Sequence, residues 1–288
     1  MLAVMLAGSW MPAFAQEQGG SGLPGQLPAG EVRGVVSSGL GEWGLSQRFP
    51  DAALWLDLEG GARTLALFWP EAGLPARGAL IILADEGENA GSGLAGALAH
   101  ELVRRKFAVL TLGLEAPEPA LEKVLERSRS ASEASPDASS PTTIDVIESE
   151  VVDRPEAAYR AHILEEIVAG AAELEKREYE LVAVVGIGRG SNHVVSFAAG
   201  LEASPALIWV DPNFYPRDAA RLAEVLGKAS VPRILELSGS DDGGQRKASL
   251  GRARVEGFSF QSVGAGTEFS PQDGKAIAGR ISDWLKPQ

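Results

Sequence analysis

With 288 residues, 45% of them hydrophobic, the chain is long enough to bury a sizeable core in one large α/β domain. A formal charge of −13 and a pI near 4.8 repel a polyanion, which excludes nucleic acid as a partner. No window is apolar over the ~20 residues of a bilayer span, so no transmembrane anchor is expected; the absence of cysteine excludes a lipid-modified cysteine, a disulfide framework and thiolate chemistry.

Met1 to Ala15 is uncharged and apolar. It closes on Ala13-Phe14-Ala15 ahead of Gln16-Glu17, the small-residue pattern of a signal-peptide cleavage site. Cleavage after Ala15, a periplasmic location and, from the missing basic n-region, a true start codon slightly upstream are expected. Residues 16–30, rich in Gly, Pro, Gln and Ser, read as a flexible lead-in to a single domain over 31–288. Gly39-Leu-Gly41-Glu-Trp-Gly44 fits G-x-G-x-x-G, but no strand precedes it and no helix follows. A turn is expected there, not a phosphate cradle.

Ala53–Leu58 and Arg63–Trp69 flank Gly60-Gly61 and predict a β-hairpin. Gly78–Ala84 is a continuous apolar run, as in a strand covered on both faces. After the polar loop Asp85–Asn89 a helix is expected over about Leu94–Lys106, then a strand over Phe107–Leu112. Residues 115–152 change character: Ser, Ala, Pro, Asp and Glu dominate Arg127–Thr143 and supply too little apolar surface to offset ordering. This acidic insertion reads as a solvated loop, with a lid as the alternative and short helices at Ala120–Arg127 and just after Thr143.

Asp153-Arg-Pro155-Glu156 predicts a helix start with capping residue, early proline and first-turn acid. Ala157, Ala161, Leu164, Ile167, Val168, Ala171 and Leu174 follow at helical spacing and are expected in the core. Leu181–Val185 predicts a strand, Gly186–Gly190 a sharp turn and Ser191–Gly200 a helix. Further strands are expected at Ala206–Asp211, Val231–Leu237 and Phe258–Val263, with helices over Asp218–Lys228 and Pro271–Leu285. The order describes an α/β fold, a mostly parallel sheet with helices on both faces and an N-terminal hairpin. Ligands in such sheets bind beyond the carboxyl ends of the strands.

From Ala53 onward this order resembles the α/β-hydrolase superfamily. Ile82-Leu-Ala-Asp85-Glu86-Gly87 and the Gly186-x-Gly188-x-Gly190 elbow resemble, within it, a group of bacterial secreted proteins classed as a domain of unknown function. The superfamily resemblance implies a nucleophile at the elbow, a carboxylate after a later strand and a histidine after the last strand. The nucleophile position holds Gly188, which has no side chain. Asp241 or Asp242 can fill the acid position, and Thr267 stands where histidine is expected. Nucleophile and base are both absent, so the expected role is non-catalytic binding, with an envelope protein or a small anionic ligand as the partner.

Two catalytic or cofactor alternatives stay open. Ser191 with His193 is the remaining nucleophile–base candidate, although residues two apart on a helix point in different directions. Gly186, Gly188 and Asp211 approximate a dinucleotide fingerprint in which Ser191 replaces the third glycine. His100 and His162 read as helix histidines. Asp85, Glu86 and Glu88 form one acidic loop and Asp241-Asp242 another; both read as solvated, and neither metal nor cofactor is expected. Arg189 beside a helix N-terminus suits an anion. Asp85, Gly87, Gly188, Arg189 and Gly190 are therefore the expected ligand-binding set.

Overall fold

The computed structural model describes residues 41–127, 144–239, 242–264 and 268–286, with the side chains of 144–153 and 242 left aside. The expected signal peptide and lead-in, most of the acidic insertion, Asp241 and Thr267 lie outside the described residues. Those described belong to one compact unit. Among them, no helix is long and apolar enough to cross a membrane.

Eight strands form one sheet: β1 (Ala53–Asp57), β2 (Arg63–Trp69), β3 (Ala79–Glu86), β4 (Ala108–Leu114), β5 (Leu181–Ile187), β6 (Ala206–Val210), β7 (Ile234–Ser238) and β8 (Phe258–Ser262). The spatial order is β1-β2-β4-β3-β5-β6-β7-β8, with β2 antiparallel to both neighbours and the other pairs parallel. This is the mostly parallel α/β sheet that the apolar runs predict, in the α/β-hydrolase-like arrangement that the resemblance implies. The hairpin turns through Gly60 and Gly61, both at positive φ.

The helices are α1 (Glu42–Arg48), α2 (Gly93–Val103), α3 (Pro119–Leu125), α4 (Ile144–Lys176), α5 (Gly190–Ala199), α6 (Pro216–Lys228), α7 (Asp242–Arg252) and α8 (Gly274–Trp284). Strand alternation divides β3 between two core layers. Leu80 and Ile82 pack toward Leu98 of α2 and Ile277 of α8. Ile81 and Leu83 face Ile167 of α4 and Val194 of α5. β3 and β5 are neighbours, yet α2 and α5, which follow them, depart to opposite faces. A crevice must open between the two strand ends, and the candidate site lies there.

Four departures from the sequence reading have physical causes. A helix, α1, stands where a turn was expected at Gly41–Gly44. It is too short for periodicity to reveal and is held by tertiary contacts: the buried Glu42 accepts the Leu65 N–H at 3.1 Å. α4 starts at Ile144, not at Asp153, because Pro155 is carried inside the helix; the bias against helix before proline is not a prohibition. α7 carries two glycines near its start and was not expected. The buried Glu236 of β7 anchors it, accepting three hydrogen bonds from Arg246 at 2.8–3.2 Å. The fourth concerns the buried stripe of α4.

That stripe is Ile163, Glu166, Ile167, Gly170 and Leu174, while Ala157, Ala161, Leu164 and Val168 are exposed. A count of apolar residues alone turns the helix the wrong way because one core position is a glutamate. Glu166 is 4% exposed and lies 3.6 Å from His162 Nε2. Burial, reinforced by Glu42, Glu115 and Glu165, raises its carboxyl to about 8.

Between the ordinary glutamate range near 4.5 and pH 8, the folded chain therefore holds a proton that the unfolded chain has lost. Stability from this group falls as pH rises through that window and levels off above it. Glu166→Gln is expected to flatten the decline. In urea unfolding the variant gains on the wild type from pH 5 to 8.5, by on the order of a few kcal/mol. Parallel stability–pH curves for the two proteins would refute the assignment.

Candidate functional site

The elbow between β5 and α5 is a turn in which side chains are sterically refused. Gly188 has φ +51°, the left-handed region, and a Cβ built on it would lie 2.2 Å from the Asp85 carboxyl carbon. A Cβ on Gly190 would lie 2.6 Å from the Ala84 carbonyl oxygen, so α5 starts in direct contact with the end of β3. Neither serine nor any other nucleophile fits at 188 while Asp85 keeps its place.

Asp85 is placed by the last turn of β3, where the pairing with β4 shifts register between Leu83 and Glu86. Its Oδ1 accepts the Arg189 N–H at 2.7 Å and the Glu86 N–H at 2.8 Å. The Arg189 amide follows the elbow's central residue, one of the two positions from which this fold builds its oxyanion hole, and the Glu86 amide closes β3, just before the loop that supplies the other. Two N–H groups 2.7–3.1 Å from one oxygen is the arrangement that stabilises a tetrahedral oxyanion. Here that oxygen belongs to the protein.

The residues around this contact are fixed. The Asn213 N–H bonds Gly188 O at 3.0 Å, and Asn192 Nδ2 donates to Arg189 O at 2.8 Å and Asn213 O at 3.1 Å. The Arg189 guanidinium lies 4.4 Å from the centre of the Tyr215 ring and pairs with Glu126, just after α3. The Tyr215 hydroxyl donates to Glu86 Oε2 at 2.6 Å; burial, this bond and nearby negative charge push its pKa up. α3 stands where a short helix is expected at Ala120–Arg127; its Leu125 is buried, and Glu126 just after it reaches the elbow through Arg189.

The expected ligand-binding set comes together only in part. Asp85, Gly188, Arg189 and Gly190 meet at the elbow, whereas Gly87 turns at φ +79° with open space around it. The anion expected at the helix N-terminus finds that position held by Asp85 and the guanidinium engaged by Glu126. A cavity of about 300 Å³ opens beside it, lined by Asp85, Glu88, Asp211, Glu268, Ser92 and Asn213. Burial raises the Asp211 carboxyl, and the negative charges of Glu268 and Asp85 add to the effect. Such a wall repels anions. Among the described residues, no group of three or more metal-ligating side chains is arranged to hold a metal ion.

Ser191 and His193 are both buried and are not brought together. The Ser191 hydroxyl donates to Gly186 O at 3.1 Å. His193 meets the Tyr159 ring edge-on at 5.7 Å, and burial, helped by Arg160, lowers its pKa to about 3. It is neutral at ordinary pH and sits in the core. The dinucleotide reading meets the same obstacle as the anion, since a pyrophosphate at the start of α5 would coincide with the Asp85 carboxylate. His100 is exposed beside Trp69, and His162 faces Glu166. Sequence reasoning named Asp85 but missed its role, because its partner amide is 104 residues away.

Comparison with known proteins agrees with the fold. The model of a family described as protein of unknown function, DUF3530, matches residues 38–255, a span that includes Asp85 and the elbow. No curated protein sequence matches the chain. Among solved structures, the chain is similar to Est1E from Butyrivibrio proteoclasticus: TM-score 0.55, 11% identity, covering 81% of this chain and 97% of that one. An esterase domain of a Rhodothermus marinus protein gives 0.52 and 10%, covering 81% and 96%. A dienelactone hydrolase-like promiscuous phosphotriesterase, P91, from metagenomic libraries gives 0.51 and 16% over the same shares. At these identities the likeness is one of fold.

The Asp85–Gly188 contact makes a quantitative prediction. Gly188→Ala forces a side chain into the left-handed region, about 1–2 kcal/mol, and overpacks it against Asp85, about 1–3 kcal/mol. A total loss of about 2–5 kcal/mol is expected in urea unfolding. Combined with Asp85→Ala, the overpacking share returns, giving a coupling of about 1–3 kcal/mol in a double-mutant cycle. Additivity within about 0.5 kcal/mol would show that the two residues do not compete for this space.

Proposed function

The chain belongs to the DUF3530 family, and from that premise we propose that it is an exported, non-catalytic α/β-hydrolase-like protein that works by binding in the periplasm. The observation that carries the reading is the single Asp85 oxygen held by the Arg189 and Glu86 amides above a position closed to side chains. In serine proteases, loss of the whole triad still leaves on the order of 10³–10⁴-fold catalysis from the oxyanion hole and binding. With the hole filled by a fixed anion, that residue of activity goes as well. Thr267 in the histidine loop and a neutral, buried His193 agree with the same account.

Export is supported by Ala13-Phe14-Ala15 before a polar sequel. The binding partner in this reading is an envelope protein, and the insertion that reaches Arg189 through Glu126 is part of the surface it meets.

Reaction with a fluorophosphonate probe tests the loss of chemistry. The purified chain is expected to remain unlabelled under conditions that saturate an active esterase control. A stoichiometric adduct on Ser191 would overturn the reading and restore a hydrolase with an atypical nucleophile. Mass spectrometry of the exported form is expected to find Gln16 as its first residue; a mature chain retaining Met1 would contradict export by cleavage.

A further inference from the structure

A second cavity, of about 470 Å³, lies between α4, α5 and α6 and shares no lining residue with the acidic cavity at the elbow. Its volume is in the range of small-molecule sites. Val195, Phe214, Leu222 and Val225 give it an apolar floor. Its rim is charged, carrying Glu156, Arg160, Arg217, Asp218 and Arg221.

The ion pairs on this rim decide which charge remains. Glu156 accepts Arg160 Nε at 3.1 Å on one oxygen and Arg217 Nη1 at 2.7 Å on the other. Asp218 accepts Arg160 Nη2 at 2.9 Å. Both carboxylates are thus matched, and three arginines against two acids leave one positive charge in a chain of formal charge −13. The surplus is on Arg221, which is exposed and makes no ion pair within 4 Å among the described residues; its acidic neighbour on the helix, Glu224, is paired with Lys228. Arg217 and Arg221 stand one turn apart on the same side of α6. Both lie in its N-terminal half, and the backbone dipole adds positive potential at the first turn.

We propose that this cavity binds an apolar monocarboxylate of acyl-chain type, its chain on the Val195–Phe214–Leu222–Val225 floor and its carboxylate on Arg221 and the outer face of Arg217. The guanidinium fork matches a carboxylate in shape and charge. One surplus charge suits a monoanion, and Glu156 and Asp218 stand close enough to disfavour a dianion such as a phosphate monoester. A cationic or neutral head group leaves Arg221 unmatched. The site does not depend on the elbow being inactive.

Isothermal titration of the full chain with decanoate, decanol and decyltrimethylammonium, each below its micelle concentration, tests the proposal. Decanoate is expected to bind saturably at one site and at least about tenfold more tightly than the other two. Arg221→Gln, at an exposed position that leaves the core untouched, is expected to weaken decanoate about tenfold or more and decanol hardly at all. Ala220→Trp, also exposed and on the cavity wall, is expected to abolish binding of both while the circular dichroism spectrum is kept. The proposal is overturned if decanoate shows no saturable binding. It is equally overturned if decanol or decyltrimethylammonium binds as well as decanoate, or if both variants bind decanoate like the wild type.

Discussion

One carboxylate oxygen, Asp85 Oδ1, joins the two strand ends at the centre of the sheet, and the site takes its form from that contact. It accepts one amide from its own strand end and one from the start of α5, so it ties β3 to the elbow across the crevice. Anions are favourable at a helix N-terminus because several amides there lack partners and the dipole is positive. In hydrolases of this fold that property is reserved for a transition state. Here the Arg189 amide is taken by the chain's own Asp85 oxygen.

The glycine elbow follows from this contact. An oxygen lodged between those amides fills the volume above residue 188, and only glycine leaves that volume free while also accepting φ +51°. The glycine at 188 and the Asp85 oxygen on the two amides are thus two aspects of one packing solution. The neighbouring carboxylates make the crevice acidic, and Glu126 and Tyr215 hold Arg189 away from it. Negative potential at the carboxyl edge and a surplus positive charge on the flank formed by α4 and α6 make these two cavities chemically different.

What the sequence made legible, and what it hid, follow the range of the interactions. The strands were readable because Gly78–Ala84 and Leu181–Val185 are continuous apolar runs, which only a sheet covered on both faces can bury. The elbow was readable because three glycines at alternate positions after such a run leave few alternatives. α1 and α7 were not readable, since each is held by a residue of another element: Glu42 accepts from Leu65 of β2, and Arg246 donates to Glu236 of β7. Glu166 concealed the buried face of α4 because a protonated carboxyl packs as a neutral group while it counts as charged in a sequence. The function of Asp85 was hidden for the most basic reason. Its acidity is visible in one chain, but the amide that uses it is supplied by a loop far along the sequence.

In the folded chain the Asp85 carboxylate occupies the Arg189 amide. Amide hydrogen exchange at Arg189, followed by NMR in the wild type and in Asp85→Ala, measures this directly. Strong protection in the wild type, lost in the variant while the amides of β5 remain protected, is the result the structure requires. An Arg189 amide that exchanges at the same rate with and without the carboxylate would mean that the hole is open, and the account would fail.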